Sequence, residues 1–207
     1  MEAPLVPTMT SARTRCDHVR VTDAVPTKPL HPATTDLAAA VREVEHHVAA
    51  AGWDAPVRVF ALVRTQAALA TEPGLADQLA DEVLAAAQAA PWHLTSIEQE
   101  GLPSAPDLES LLAELSWPDA VDGVAVTVER VVLPPEAEAQ MPQGKAAALA
   151  YLLAHPERQD VRLAVGVLRD GPSWCAVRTR ANDADDQVGQ GPDLVPGLVA
   201  ALRSTLH

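Results

Sequence analysis

The stretch RANDADDQVGQGPDLVPGL, residues 180–198, places Asp183, Asp185 and Asp186 within four positions, ahead of a glycine-rich step and an apparent helix start. Crowded carboxylates are the oxygen donors a hard cation needs. An EF-hand loop beginning at Asp183 calls for glycine at 188 and a bidentate glutamate at 194. The chain carries Val188 and Leu194 there. A looser cation site from the three aspartates is the metal alternative; a solvated acidic connection is the expectation. The GQGPDL step lacks the P-loop lysine and completes no GxGxxG fingerprint. Pro192 also removes an N–H donor, so the step is expected to be a turn leading into a helix. No cofactor and no metal are expected.

Other reactive side chains fare similarly. His46 and His47 are adjacent on a predicted helix, about 100° apart, so they cannot chelate one ion together. There is no HExxH spacing and no GxSxG elbow. Cys175 sits in a predicted strand between Trp174 and Ala176, the setting of an inert packed thiol. Glu98 and Glu100, with Glu136 and Glu138, are the carboxylates from which an acid/base pair could be drawn. No residue is assigned a catalytic role.

The elements that would position these groups follow from periodicity. Thr34 or Thr35 caps a first helix carrying Leu37, Val41, Val44 and Val48, and Gly52 stops it. Strands are expected at 56–65, 92–100 and 123–133, with a hairpin over 160–180 turning at Asp170-Gly171. Further helices are expected from Thr71–Pro73 to Pro91, from Ser104 or Pro106, over 144–156, and from about Pro192.

Strand alternation sorts the side chains into two faces. Val57, Val59, Ala61 and Val63, with Val124, Val126, Val128, Val161, Leu163, Val165 and Val167, make the face expected beneath the helices. The other carries Arg58, Phe60, Leu62, Arg64, Thr127, Glu129, Arg162, Ala164, Gly166, Leu168, Trp174, Arg178 and Arg180. A mixed apolar–arginine surface resembles an interface. Arg58, Arg64, Arg162, Trp174, Arg178 and Arg180 are therefore the candidate contacts for a partner or anionic ligand. The competing reading is a thin second layer, with a terminal helix lying over this face and the arginines snorkelling at its rim.

A net charge of −13 opposes nucleic-acid and anionic-membrane binding, both of which need clustered Lys and Arg. Two cysteines are too few for a disulfide framework. No apolar run reaches transmembrane length, and the N-terminus has no hydrophobic signal core, so a cytoplasmic location is expected. The phrases EQEGLP (98–103), VERVVLPPEAEA (128–139), HPERQDVRLAVGVLRDG (155–171) and GPDLVPGLV (191–199) resemble a conserved family of actinobacterial proteins without established function. The likeness spans about residues 36–206. It implies an actinobacterial, cytosolic origin and brings no activity, cofactor or site residues.

The expected architecture is α+β: a mixed, mainly antiparallel sheet of about five strands with helices chiefly on one face, the alternative being a three-layer α/β fold. Residues 1–33 are expected to be a disordered extension and 34–207 a single domain. The expected function is non-enzymatic binding of a protein partner, or homodimerisation, through the apolar–arginine face. The alternative is a carboxylate-dependent, cation-assisted hydrolase-like enzyme.

Overall fold

The computed structural model describes residues 30–169 and 171–206. The expected disorder of residues 1–29, Cys16 included, and Asp170 of the hairpin turn lie outside the described residues.

The first helix, α1 (Pro32–Ala49), starts two residues before the expected threonine cap. His31 caps it instead: its Nδ1 accepts from the Ala33 N–H at 3.2 Å, and its carbonyl accepts from Thr34 and Thr35. Pro32 stands in the first turn, where its missing donor costs nothing. Ala33 is buried, so the last residues of the expected extension belong to the helix. Past its end, Gly52 takes φ +87, the left-handed backbone expected of a glycine stop.

Six strands follow: β1 (Arg58–Arg64), β2 (Leu94–Glu98), β3 (Gly123–Val132), β4 (Gln159–Leu168), β5 (Ser173–Thr179) and β6 (Gly189–Gly191). They form one open sheet in the order β2-β1-β3-β4-β5-β6, with every pair antiparallel. The class is α+β, as expected, with one strand more. That strand is the GQG step, expected as a turn, which instead pairs with Cys175 to Val177. The predicted single helix between Thr71 and Pro91 is broken into α2 (Thr65–Thr71), a 3-10 turn (Pro73–Gln78) and α3 (Asp81–Ala89). Pro73 cannot continue the α2 hydrogen-bond ladder. Short helices α4 (Leu108–Ala113), α5 (Pro135–Ala139), α6 (Lys145–Ala154) and α7 (Pro196–Arg203) complete the chain. The last begins at Pro196 rather than Pro192, and Leu194 is left exposed before it.

Helices lie on both faces. The expected covered face packs Val59, Val124, Val126, Val128, Val161, Leu163, Val165 and Val167 against Leu108, Leu111 and Leu112 of α4 and Val199 and Leu202 of α7. The arginine-bearing face, expected to be open or thinly covered, is also core. Leu37, Val41, Val44 and Val48 of α1 press on Phe60, Leu62, Ala125, Ala164, Leu168 and Ala176. The second face is thus covered as well, and the terminal helix lying over the arginine face is α1. Gly166 explains the close approach. A Cβ there would lie 2.5 Å from Val41 Cγ2 and 3.1 Å from Leu37 Cδ1. Small residues on this face make a trough that admits a whole helix.

Candidate functional site: the arginine face and its two ends

Antiparallel register gathers the candidate arginines at the two ends of the face that α1 crosses. Arg58 at the start of β1, Arg162 at the start of β4, and Arg178 and Arg180 at the end of β5 lie together beneath the C-terminal half of α1. Arg64, at the opposite end of β1, lies near the α1 N-terminus with Trp92.

Arg178 and Arg162 are not available to a partner. Arg178 is 2% exposed and holds Glu45 of α1, also 2% exposed, through two parallel bonds of 2.7 and 2.8 Å. Its other donors reach Asp185 Oδ1 at 2.7 Å, and the Asp183 carbonyl at 2.9 Å. Two carboxylates and a carbonyl satisfy the fork, and the Glu45 hydrogen bonds push the guanidinium pKa still higher. Arg162 is 1% exposed. It donates to Glu129 Oε1 at 2.9 Å and to the Gly52 carbonyl, and its guanidinium stacks 4.4 Å from the Trp53 ring. Its Nε and Nη1, and the neighbouring Thr127 Oγ1, are buried without a protein partner among the described residues.

The acidic loop has a physical role in this network. Asp185 is a counter-charge for Arg178, and its carboxyl is held below the usual range by that hydrogen bond. Asp183 also accepts from Trp53 Nε1 at 2.9 Å. Asp186 joins no such contact, and no three His, Cys, Asp or Glu side chains are grouped for a metal ion among the described residues. Asp183 and Asp185 therefore spend their charge on protein donors.

Trp53 and Asp54 were not legible as site residues. Trp53 lies between Arg162 and Arg180, at 4.4 and 5.3 Å. Asp54 adopts φ +67, binds Arg180 through both oxygens, and donates its N–H to Glu129 Oε2 at 2.8 Å. Arg180 holds the Asp54 carboxyl below its usual range. The available signal was compositional: a tryptophan just beyond a glycine helix stop, in a chain with one Phe and one Tyr. Glu45 gave no signal of its own, being one of several acids on α1.

Arg58 binds Glu98 through both oxygens and contacts His47 at 3.1 Å. That pairing lowers the Glu98 pKa, the wrong direction for a proton shuttle near neutrality. Glu98 lines a cleft with Glu43 and His47, whereas Glu138 lines another with Val131 and Met141. The carboxylates considered for acid/base work do not converge. Trp174 is half-buried against the α1 core, with Nε1 3.4 Å from Gln190 Oε1. Cys175 is buried, and burial raises its pKa, away from a reactive thiolate.

Two accessible features remain. One is the cleft at the Arg64 end, with a volume of about 420 Å³. The other is α6, whose sequence KAAALAYLLA buries none of its residues. Leu149 and Leu153 are 53% and 50% exposed, one helical turn apart, and Val132 at the adjoining tip of β3 is exposed as well. The inner side of α6 is tethered by Tyr151, whose hydroxyl donates to the Ala137 carbonyl, and Leu152 shares a cleft with Val131 and Leu133. Among the described residues no helix is long and apolar enough to cross a membrane. In comparisons with known proteins, no curated protein and no solved structure matches the chain. The family described as PPA1309-like protein matches residues 37–207.

Proposed function

We propose a non-enzymatic protein-binding role for this chain, which belongs to the PPA1309-like protein family. The binding reading of the sequence is kept, but its surface moves. The middle of the apolar–arginine face is filled by α1, and two of its arginines are buried in ion pairs. The observation that carries the proposal is α6. Nine of its ten residues are Ala, Leu or Tyr, yet none is buried. Soluble chains seldom leave such a stretch facing water unless something docks on it.

Leu149 and Leu153 at i and i+4, with Ala146 and Ala150 beside them, form a ridge with shallow flanks, the shape another helix packs against. Completing the burial of two half-exposed leucines contributes about 1–1.5 kcal/mol each, enough for a central anchor pair. A net charge of −13 disfavours a second copy and favours a cytosolic partner whose apolar helix has basic flanks.

Leu149→Glu with Leu153→Glu tests this reading. Both side chains are half exposed, so the variant should melt within about 2 °C of the parent. Affinity capture from the native cytosol, followed by binding of the purified partner, should show a partner helix retained by the parent and lost by the variant. Self-association that the substitution abolishes, seen by light scattering, would replace the partner by a second copy. Equal binding by parent and variant overturns the assignment of α6.

A further inference from the structure

We propose that the cleft at the N-terminal end of α1 binds a small organic acid, its oxyanion held by Arg64 and His31 and its apolar body by Trp92, Leu168 and Pro172. The site is independent of α6 and lies at the other end of β1 from the buried arginine network. Five separate stretches of chain converge on it: the start of α1, the end of β1, Trp92 ahead of β2, Asp122 ahead of β3, and Leu168, Gly171 and Pro172 at the junction of β4 and β5. Its volume of about 420 Å³ lies in the range of small-molecule sites.

Arg64 is built as a clamp. Asp122 accepts from the Arg64 backbone N–H at 2.7 Å and from its Nε at 2.6 Å, fixing both ends of the side chain. The guanidinium lies 5.3 Å from the Trp92 ring. Its Nη1 and Nη2 have no hydrogen-bond partner among the described residues, and the side chain stays 38% exposed. A guanidinium fixed along its Nε edge presents the remaining donors in the fork geometry that matches a carboxylate or phosphate. This distinguishes Arg64 from Arg58 and Arg178, whose forks are closed by glutamates.

His31 adds a second donor. Its Nδ1 accepts from the Ala33 N–H, so the neutral ring carries its proton on Nε2. The ring meets Trp92 edge-on at 5.8 Å, which sets its orientation. Thr34 lines the same wall, together with the apolar Ala33, Leu168 and Pro172. Among the described residues Asp122 is the one carboxylate lining the cleft, and it is already engaged with Arg64. Among the described residues the oxyanion thus meets donors without a free negative charge, in a chain whose net charge is −13. Trp92 and the apolar wall select an acid with a flat hydrophobic body over a bare ion.

The test uses the full chain with benzoate, its neutral isostere benzamide, and inorganic phosphate at millimolar concentration. Amide chemical-shift mapping of the unmodified protein reads the site without any substitution. Benzoate should shift Thr34, Trp92 and Gly171 saturably, benzamide should not, and phosphate should act on the same residues more weakly. Should phosphate match or exceed benzoate, the site is one for inorganic oxyanions and the apolar body is wrong. Arg64→Gln should weaken benzoate about tenfold or more, the loss expected of a charge-assisted pair, while Arg64→Lys keeps part of it. Trp92→Leu should weaken benzoate and leave phosphate unchanged. Equal shifts from benzoate and benzamide, or benzoate shifts scattered away from the cleft, overturn the proposal.

Discussion

Replacing Arg178 by methionine isolates the energetics of the buried network. The change keeps much of the aliphatic volume and removes the guanidinium that holds Glu45, Asp185 and the Asp183 carbonyl. Asp185 is two-thirds exposed and regains water. Glu45 cannot: it is 2% exposed, and Arg178 is its hydrogen-bonding partner through both oxygens. An uncompensated buried carboxylate costs about 3–5 kcal/mol. A domain of this size has about 5–15 kcal/mol in total and loses about 2–4 °C of midpoint per kcal/mol, so Arg178→Met should lower Tm by about 6–20 °C. Removing both charges, as Glu45→Leu with Arg178→Met, should recover most of that loss, because an apolar pair has no charge to desolvate. Urea unfolding of the parent, both single variants and the double closes the cycle. Additive losses in the double variant, or a cost under about 1 kcal/mol for Arg178→Met, would refute the buried pair as the lock between α1 and β5.

Gly166→Val should destabilise more than Gly166→Ala, by roughly 1–3 kcal/mol for the alanine, since even a Cβ collides with Val41; equal stability of Gly166→Ala and the parent in urea would show that α1 does not approach so closely. Stability should fall as pH drops below about 4. Glu98 and Asp185 have depressed pKa values in the folded protein and bind fewer protons there than in the unfolded chain, so their contribution is complete above the ordinary carboxylate range and is lost on acidification. Glu98→Gln should flatten this dependence in urea midpoints taken from pH 7 to pH 3, and an unchanged slope counts against the Arg58 pairing. A chain beginning at Thr34 should melt about 4–8 °C below one beginning at Leu30, because it lacks the His31 cap and buried Ala33, together worth about 2 kcal/mol; coincident melting curves would show that α1 is not held from its first turn.

The strands were legible because their signal is local. Alternation along 58–64, 123–132 and 159–168 requires no partner to be recognised, and the hairpin between β4 and β5 is set by a glycine at φ +121. The same alternation sorted side chains correctly into two sets. It could not say which set was inside, because both are. Ala125, Ala164, Gly166 and Ala176 look like a poor core when counted by hydrophobicity, and Arg162 and Arg178 look like surface. Their meaning depends on α1, a helix that closes over them from far upstream in the chain. Small side chains let that helix approach, and Glu45 and Glu129 neutralise the arginines it buries. The GQG strand was missed for the same reason: three residues with two glycines show no periodicity, and their extension is imposed by the free edge of β5. The acidic loop shows the division most sharply. The sequence could exclude an EF-hand from Val188 and Leu194, since that motif is a local spacing rule. That Asp183 and Asp185 answer a buried arginine and a tryptophan 130 residues away was decided only when the chain closed on itself.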